Sequence, residues 1–434
     1  MNNEKIYTII GIGIGPFNLG LAALTQPVKE LETLFLDRAL GFDWHPGLML
    51  SNTTLQVPFM ADLVTMADPT SPYSFLNFLK EANRLYKFYI REDFFLLRKE
   101  YNVYCQWVAR QLPNCLFSRS VELVEYKEAE KIYKILVKNT LTEKIEIYYA
   151  EKIVLGTGTE PYCPDFINKA STKNIVHTSQ YLFSKEQILK SKSVSIIGSG
   201  QSAAEVFQDL LPLTENGMHL SWFTRTDRFF PMEYSKLTLE LTSPEYVDYF
   251  YNMPSERRNS LLAKQPPLYK GINFDLINQI FDTLYEMSVD NTPLNVQLRP
   301  NCQLDNIESN DTGKNALCFT QIQQQQTFKH ESEYTILATG YKYKKPQFIQ
   351  GIETRINHNQ DGLFEVNRNY SIDKNGNEIY VQNAELHTHG FVTPDLGMGA
   401  YRNAIIINSI TGKQVYKVEN RIAFQQFEAI LDAG

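Results

Sequence analysis

Two glycine-rich turns, each between a short apolar run and a helix-like stretch, constrain the fold of this chain more than any other feature. The first lies in YTIIGIGIGPFNLGLAAL, where the apolar run from Tyr7 to Ile10 leads into the turn and a helix-like stretch begins at Asn18. Its defining residues are Gly11, Gly13, Gly15 and Pro16. In a dinucleotide-binding fold, such glycines permit a tight turn and the close approach of a pyrophosphate, which then lies at the helix N-terminus. The pattern predicts a nucleotide-binding β-turn-α unit.

An acidic residue follows the next strand-like segment, TLFLD, which ends at Asp37. A carboxylate at this place can accept hydrogen bonds from a ribose. Glycine-rich turns also serve plain strand-to-helix packing, so the strand before the turn and the acid after it are what favour nucleotide binding.

The segment KSVSIIGSGQSAAEVFQDL repeats the same order of elements, with Gly198, Gly200 and Ser202 at the turn. The following strand-like segment, HLSWFTRTDRF, contains Arg225, with Arg228 three residues later. An arginine in place of an acid suits the ribose 2′-phosphate, because a guanidinium binds phosphate by paired hydrogen bonds. We therefore predict NADPH as the second nucleotide. For either arginine taken alone, a solvated surface position is the alternative.

Two further apolar segments, KIVLGTG and YTILATGY, end in small residues and bracket the second turn. The first nucleotide-binding domain is therefore expected to be interrupted by the second, and FAD with NADPH is the natural pair of cofactors. We predict an α/β fold with two Rossmann-like domains, the second inserted in the first, and a small helical substrate subdomain. The expected boundaries are 1–170 and 330–434 for the FAD-binding domain, 171–230 and 296–329 for the NADPH-binding domain, and 231–295 for the helical subdomain.

Charge and composition exclude several classes of function. With 42 Lys plus Arg against 49 Asp plus Glu and no basic run, nucleic-acid binding is disfavoured. Nowhere do about 18 consecutive apolar residues occur, and the chain opens without a secretory leader, so a cytoplasmic protein with no membrane partner is expected. The 5 cysteines contain no C-x-x-C pair, which favours reduced thiols. His387 and His389 lack a nearby third ligand, so no metal is expected.

Motifs spread over nearly the whole chain carry a specific resemblance. They are GIGIGPFNLG, FDWHPGLML, LQVPFMADLV running into DPTSPYSFLNFL, GSGQSAAE, LATGY with Pro346 five residues on, and THG near the C-terminus. On these motifs the chain resembles the flavin-dependent N-hydroxylating monooxygenases of siderophore biosynthesis, such as the lysine and ornithine N-monooxygenases. One conservative departure is Glu333 before LATGY, where the family usually has Asp.

The resemblance implies that NADPH reduces FAD, that the reduced flavin activates O2, and that a neutral primary amine becomes a hydroxylamine. The cofactor carries the chemistry, and the protein supplies geometry, a water-poor site and a held amine. Gln56 is carried over as a residue near the flavin. The other motif residues expected at the cofactors are Trp44, His45, Thr339, Gly340, Tyr341, His389 and Gly390.

The same resemblance indicates the substrate. At the position of Ala61, the lysine and ornithine enzymes have a lysine that pairs with the substrate α-carboxylate. Leu239 aligns with an asparagine that the ornithine enzymes use toward the amino-acid end, and Gly397 aligns with a substrate-side serine. An amino acid bound here would lose polar partners, at a cost of roughly 1–3 kcal/mol or more per group. A decarboxylated diamine, putrescine or cadaverine, is therefore the expected substrate, and SKLTLELTSPEYVDYF resembles that branch of the family.

The second ammonium of a diamine needs an acceptor, and Glu240 and Asp395 are the candidates. The alternative is that a lysine elsewhere, such as Lys236 or Lys270, replaces the missing charge and that lysine or ornithine is the substrate. Histamine is a further alternative, because its imidazole would favour aromatic stacking.

Other enzyme classes fit less well. A pyridine nucleotide-disulfide reductase would need a redox cysteine pair, and a ketone or sulfide monooxygenase would not share the amine-family motifs. A flavoprotein sensor would need only one nucleotide loop. By resemblance, the expected partners are O2, a homo-oligomeric copy, and a downstream siderophore synthetase or acyltransferase.

Overall fold

The computed structural model describes residues 5–167, 174–291, 293–309 and 313–429. The strands are β1 (Ile6–Ile12), β2 (Thr33–Leu36), β3 (Thr54–Pro58), β4 (Phe95–Leu97), β5 (Cys115–Leu116), β6 (Arg119–Lys127), β7 (Ile132–Asn139), β8 (Ile145–Leu155), β9 (Thr159–Pro161), β10 (Ile175–His177), β11 (Ser193–Ile197), β12 (His219–Phe223), β13 (Val296–Arg299), β14 (Cys302–Ser309), β15 (Asn315–Gln321), β16 (Gln326–Ser332), β17 (Tyr334–Leu337), β18 (Tyr341–Tyr343) and β19 (Ile379–Val381).

The helices are α1 (Pro16–Thr25), α2 (Phe75–Glu81), α3 (Leu85–Arg91), α4 (Arg98–Gln111), α5 (Tyr181–Ile188), α6 (Gln201–Leu210), α7 (Lys236–Leu239), α8 (Pro244–Asn252), α9 (Ser255–Lys264), α10 (Pro266–Tyr269), α11 (Phe274–Met287), α12 (Leu386–His389) and α13 (Gly399–Thr411). Short 3₁₀ turns lie at Pro46–Leu48, Thr178–Gln180, Leu211–Asn216, Gln347–Arg355 and Leu396–Met398. In the described ranges, no helix is long and apolar enough to cross a bilayer.

The first sheet is built on β1, which pairs in parallel with β2 on one side and β8 on the other. Its full order is β5-β2-β1-β8-β7-β6, and β19 also pairs with β8. Ile9 and Ile10 of β1 are completely buried on opposite faces, because a parallel strand covered on both faces reads as a continuous apolar run. Ile9 packs in one apolar core and Ile10 in another.

The second sheet, β10-β17-β11-β12-β13, is parallel throughout. The expected α/β fold with two Rossmann-like domains is confirmed. One junction differs, however: β17 lies between β10 and β11, so the second sheet includes residues up to Leu337, beyond the boundary expected at 330. The reason is that strand pairing depends on distant partners that a local apolar pattern does not identify. The junction expected at 170/171 lies outside the described residues.

Two short antiparallel strands, β9 and β18, pair where the chain passes between the two sheets. The strands β14, β15 and β16 add a three-stranded antiparallel sheet in that order. The LATGY segment, which connects β17 to β18, therefore lies at the crossing between the first and second sheets.

The region expected to form the helical subdomain, 231–295, contains α7 to α11. These helices pack in two directions. Phe250 of α8 lies in a core with Phe391, which follows α12 in the first domain, whereas Ile280 of α11 lies in the core of the second sheet. The helical region therefore bridges the two nucleotide-binding domains.

Candidate active site

The first glycine turn has the shape that a pyrophosphate requires. Gly13 has a φ of +90°, and a Cβ there would lie 2.5 Å from the carbonyl oxygen of Gly156. A Cβ on Gly11 would overlap the Phe35 ring at 2.2 Å. Gly15 caps α1, and a Cβ there would meet no protein atom within 4 Å. The turn is thus packed tightly on the protein side and open in front of the helix N-terminus, so it fits the phosphates of a dinucleotide.

Asp37 lies beside this turn, directly after β2. Its Oδ2 accepts a hydrogen bond from the Ile14 N–H at 2.6 Å, and its Oδ1 accepts one from the Ala39 N–H at 2.8 Å. The carboxylate therefore holds the turn against the strand end, and its contact with a ribose stays a prediction. The buried amide of Asn18 also supports the turn, since its Nδ2 donates to the Gly13 carbonyl at 2.8 Å.

The second turn repeats this geometry at the start of α6. Gly198 has a φ of +148°, and a Cβ there would lie 2.2 Å from the Ala338 carbonyl oxygen. Gly200 caps α6, with the Lys270 carbonyl oxygen 3.4 Å from its Cβ position. Ser202 lies half-buried in the first turn of that helix. The turn therefore fits a second dinucleotide.

Cationic side chains lie close to the second turn. Arg225 is exposed just after β12. Partial burial of Lys270, with the Arg225 charge as the second cause, lowers the pKa of Lys270. Arg228 is exposed and pairs with Asp227 at 2.8 Å. The structure thus groups Lys270 with Arg225 at the second turn.

Aromatic rings from both domains meet where the chain crosses between the sheets. The Tyr341 ring lies 5.7 Å from the His45 ring and 5.2 Å from the His177 ring, and Trp44 lies 4.7 Å from His45. Burial, with the Arg98 charge as the second cause, lowers the pKa of His45 to about 4. His45 is therefore neutral at physiological pH, although the residue as a whole remains exposed to solvent.

The backbone of the LATGY segment is held at the same crossing. The Thr339 hydroxyl donates to the Tyr162 carbonyl, and the Tyr162 N–H donates to the Gly340 carbonyl at 2.9 Å. Gly340 has a φ of +80° and is open on its Cβ side. Residues 339–341 thus lie together with Trp44 and His45.

Gln56, on β3 of the first domain, reaches the second glycine turn. Its Nε2 donates to Oε1 of Gln201, the residue after Gly200, at 3.3 Å. Behind this contact, Arg98 of α4 forms an ion pair with Glu205 of α6 at 2.6 Å. The residue expected near the flavin therefore lies at the contact between the two domains.

His389 is the last residue of α12, and Gly390 caps the C-terminus of that helix. The His389 ring is completely buried and stacks on Tyr370 with centroids 4.5 Å apart, and burial lowers its pKa well below the ordinary value. Gly390 has a φ of +83°, with the Phe250 ring 3.3 Å from its Cβ position. In the part of the chain described, no three His, Cys, Asp or Glu side chains are placed to hold a metal ion. A role of these two residues at a cofactor stays a prediction.

Ala61, Asp395 and Gly397 meet at the expected substrate end. A Cβ on Gly397 would lie 3.8 Å from the Ala61 Cβ and 3.1 Å from Asp395 Oδ1. Asp395 Oδ1 accepts a hydrogen bond from the Gly397 N–H at 2.7 Å. Burial raises the pKa of Asp395. Burial, with the Asp395 charge as the second cause, also raises the pKa of Tyr234. The structure thus places a partly desolvated carboxylate beside the position that lacks a lysine.

Glu240 serves a different purpose. Its two oxygens accept hydrogen bonds from the Phe424 N–H and the Gln425 N–H at 3.0 Å each, and the Gln425 side chain adds another at 3.0 Å. This carboxylate fastens the C-terminal segment to α7. Leu239 beside it is half-buried, and its contact with a substrate stays a prediction.

With this geometry in view, comparison with known proteins decides the family. A family model described as L-lysine 6-monooxygenase/L-ornithine 5-monooxygenase matches residues 5–343. The chain belongs to this family.

Relatives in the family point to one branch. The putrescine N-hydroxylase of Shewanella oneidensis is 48% identical over 98% of this chain and 85% of the relative. The putrescine N-hydroxylase of Acinetobacter baumannii is 47% identical over 98% of this chain and 95% of the relative. A crystal structure of DfoA bound to FAD, the desferrioxamine biosynthetic pathway cadaverine monooxygenase of Erwinia amylovora, is 50% identical, covers 98% of this chain and 99% of the other, and has a TM-score of 0.96.

Sequence reasoning missed several residues of this site. Asn18 lies within the first motif, but its supporting role depends on the Gly13 carbonyl and on Gln382, whose Nε2 donates to it at 2.6 Å. Arg98 and Glu205 are 107 positions apart and carry no paired pattern. A buried acid within the apolar stretch SAAEVF was the available signal for Glu205.

Proposed function

We propose that this family member is an FAD- and NADPH-dependent monooxygenase that hydroxylates one primary amine of an aliphatic diamine, putrescine or cadaverine, for hydroxamate siderophore biosynthesis. The observation that carries the proposal is the carboxylate of Asp395 beside Ala61 and Gly397. The diamine activities named for the two putrescine N-hydroxylases and for the cadaverine monooxygenase support it.

FAD would bind at the first glycine turn and NADPH at the second. The open positions in front of Gly15 and Gly200 support this assignment, as do the cations Arg225 and Lys270 near the second turn. When bound, the flavin supplies the oxygen-transfer chemistry that no protein side chain provides. The protein's own contribution is to hold the two nucleotides against each other and to keep water out.

Asp395 would bind the distal ammonium of the substrate. Its Oδ1 is engaged by the Gly397 N–H, and within the described ranges Oδ2 forms no hydrogen bond. A charge-assisted hydrogen bond to this carboxylate contributes about 1.5–3 kcal/mol. The opposite amine must be neutral to react, so the pocket would distinguish the two ends of the diamine by charge.

An α-carboxylate would be disfavoured by the same charge. Ala61 offers no cation, and Asp395 would repel a second carboxylate nearby. Lys270 lies near Arg225 at the second glycine turn, and Lys236 is exposed on α7. These positions do not favour either lysine as a replacement for the missing charge.

Histamine is the second candidate, because aromatic rings lie near Asp395. The Tyr234 ring packs edge-on against Phe95 with centroids 5.7 Å apart, and Tyr234 is close enough to Asp395 for its pKa to respond. An imidazole could stack on these rings.

The test is a product assay with FAD and NADPH. Putrescine, cadaverine, histamine, ornithine and lysine are compared, and the N-hydroxylated product is measured by mass alongside NADPH oxidation. We expect a hydroxylated diamine and little product from ornithine or lysine. Strong product from either amino acid would contradict the proposal, and product from histamine alone would favour the second candidate.

We propose a homo-oligomer in solution. Phe274, Phe281 and Tyr285 are exposed and recur on one face of α11, which is typical of a surface that packs against another chain. Size-exclusion chromatography with light scattering should give a molar mass greater than that of one chain, and Phe281→Glu should lower this mass. A monomeric wild-type protein would contradict this.

We propose that the protein works in the cytoplasm and passes its hydroxylamine product to an acyltransferase or siderophore synthetase. All 5 cysteines are free, as a reducing compartment requires. The putrescine N-hydroxylases support the second part by the chemistry in their names, since a hydroxylamine must be acylated to become a hydroxamate.

A further inference from the structure

A buried ion pair joins the two nucleotide-binding domains. Arg98 at the start of α4 and Glu205 in α6 meet through two parallel contacts, Nη2 to Oε1 at 2.6 Å and Nη1 to Oε2 at 2.9 Å. Their side chains are only 12% and 2% exposed. Arg98 Nη1 also donates to the Leu48 carbonyl at 3.1 Å. A paired guanidinium and carboxylate fix both distance and orientation, because both groups are planar.

The pair continues into two amides. Gln201 Nε2 donates to Glu205 Oε1 at 2.9 Å. Gln201 Oε1 accepts from the Asn273 backbone N–H at 2.7 Å and from Gln56 Nε2 at 3.3 Å. An ionised carboxylate can only accept and a backbone N–H can only donate, so Gln201 has one satisfactory orientation.

The orientation of Gln56 follows from that of Gln201. Because Gln201 presents its oxygen, Gln56 must present its NH2 group to α6 and turn its own Oε1 away. Arg98 thus fixes Glu205 as an acceptor, Glu205 fixes the orientation of the Gln201 amide, and Gln201 fixes that of the Gln56 amide. Gln201 directly follows Gly200, so the same contacts also fix the start of α6 relative to β3.

We propose that Arg98 and Glu205 are positioning residues, which hold the NADPH-binding domain in register with the FAD-binding domain and, through Gln201, set the orientation of the Gln56 amide. The inference rests on the proposed function only where it concerns product formation. Its two consequences are separable: the ion pair fixes the domains, and Gln201 fixes the amide.

The first test uses Glu205→Gln, which keeps size and shape but removes the charge. NADP⁺ binding to the FAD-loaded enzyme is measured by calorimetry, and hydrogen exchange is followed in residues 54–58 and 201–210. We expect NADP⁺ affinity to fall about tenfold, the equivalent of one charge-assisted hydrogen bond, and exchange to rise in both segments. Arg98→Lys should give a smaller fall in NADP⁺ affinity and a smaller rise in exchange, because the positive charge is kept while the paired guanidinium contact is lost.

Glu100→Gln is the matched control. Glu100 is also on α4 and is largely buried, and Arg84 donates to its Oε1 through Nε at 2.9 Å and Nη2 at 2.6 Å, but both residues belong to the first domain. We expect this variant to lose thermal stability without a change in NADP⁺ affinity. Equal effects of Glu100→Gln and Glu205→Gln on NADP⁺ affinity and exchange would overturn the proposal.

Gln201→Ala tests the second consequence and leaves the ion pair in place. Hydroxylated product formed per NADPH oxidised should fall several-fold, while exchange in residues 201–210 stays closer to wild type than in Glu205→Gln. Unchanged product per NADPH would overturn the role of the amide. If the wild-type enzyme hydroxylates no amine, the proposed function fails, but NADP⁺ affinity and exchange still decide the role of Arg98 and Glu205.

Discussion

At the proposed substrate end, the charge balance around Asp395 would decide which amine can bind. Burial raises the pKa of Asp395, while the Gly397 N–H and the charge of Arg402 act in the opposite direction, so Arg402 is the candidate counter-ion. Arg402 already lies 2.8 Å from Glu385 and donates to the Thr393 carbonyl at 2.6 Å. Asp395 would therefore be left to be neutralised by a ligand, and the alanine at position 61 supplies no cation to compete with it.

Placing a lysine at position 61 tests this balance. Its ammonium would compete for Asp395 and repel the distal ammonium of the substrate, so we expect Ala61→Lys to lower kcat/KM for putrescine by about tenfold or more. Ala61→Met is the control of similar length without charge. The account would be in difficulty if both variants lowered kcat/KM equally, because size alone would then explain the loss.

The pH dependence of binding follows from the raised pKa of Asp395. The carboxylate binds an ammonium only when ionised, so KM for putrescine should rise as the pH falls through this raised pKa. Asp395→Asn should remove that rise. Deprotonation of the reacting amine affects both enzymes alike, so KM is compared between them at each pH. A parallel rise in the variant would show that another group is responsible.

At the scale of elements, two glycines of the first β-turn-α unit, Gly13 and Gly15, have different roles. In the first unit, Gly13 fits only through its positive φ and close packing on Gly156, whereas Gly15 has an ordinary φ of -80° and faces open space. The fold thus requires a glycine at position 13, whereas a glycine at position 15 would leave space for the proposed FAD.

Paired alanine substitutions separate these two needs. Gly13→Ala should destabilise the fold by roughly 1–3 kcal/mol or more, since it adds both strain and a clash. Gly15→Ala should melt normally as apoprotein but retain less flavin. Apoprotein melting temperature and bound flavin per chain measure the two effects. Normal flavin content in Gly15→Ala would contradict the placement of FAD at this turn.

Local patterns were enough to predict both glycine turns and their strands, because a tight turn between an apolar strand and a helix leaves its mark within about 20 residues. Strand pairing between segments that are far apart in the sequence leaves no such local pattern. The apolar pattern of β17 predicted a strand but not the sheet to which it belongs. Likewise, Ala61 and Asp395 were each named from motifs, and only the fold brings them together. The Arg98–Glu205 contact depends on two helices from different domains.

On the scale of the whole molecule, two sheets are joined by β9 and β18, by the helices α8 to α11, and by the ring contacts of His45 with Trp44 and Tyr341. Neutral histidines in such places link global stability to pH. The pKa of His45 is lowered to about 4, and burial lowers that of His389 well below its ordinary value.

Acid should therefore destabilise the protein before its carboxylates are protonated. Above pH 6.5, His45 is neutral in both states. As the pH falls from 6.5 to about 4, the unfolded chain takes up a proton that His45 of the folded chain does not, so stability falls. Because the His45 residue is exposed, solvent screening keeps the loss below the full value of the pKa shift. His45→Asn, which tolerates the φ of 51° at this position, should lose less. Melting temperatures between pH 7 and 4 measure the difference, and equal acid lability would contradict it.

The most direct measurement of the central claim is the ratio of kcat/KM for putrescine to that for 1-aminobutane, in wild type and in Asp395→Asn. 1-Aminobutane keeps the reacting amine and lacks the distal ammonium. The account predicts a wild-type preference for putrescine of roughly 10- to 100-fold, worth 1.5–3 kcal/mol, and its loss in the variant. An undiminished preference in Asp395→Asn would show that the distal ammonium is recognised elsewhere.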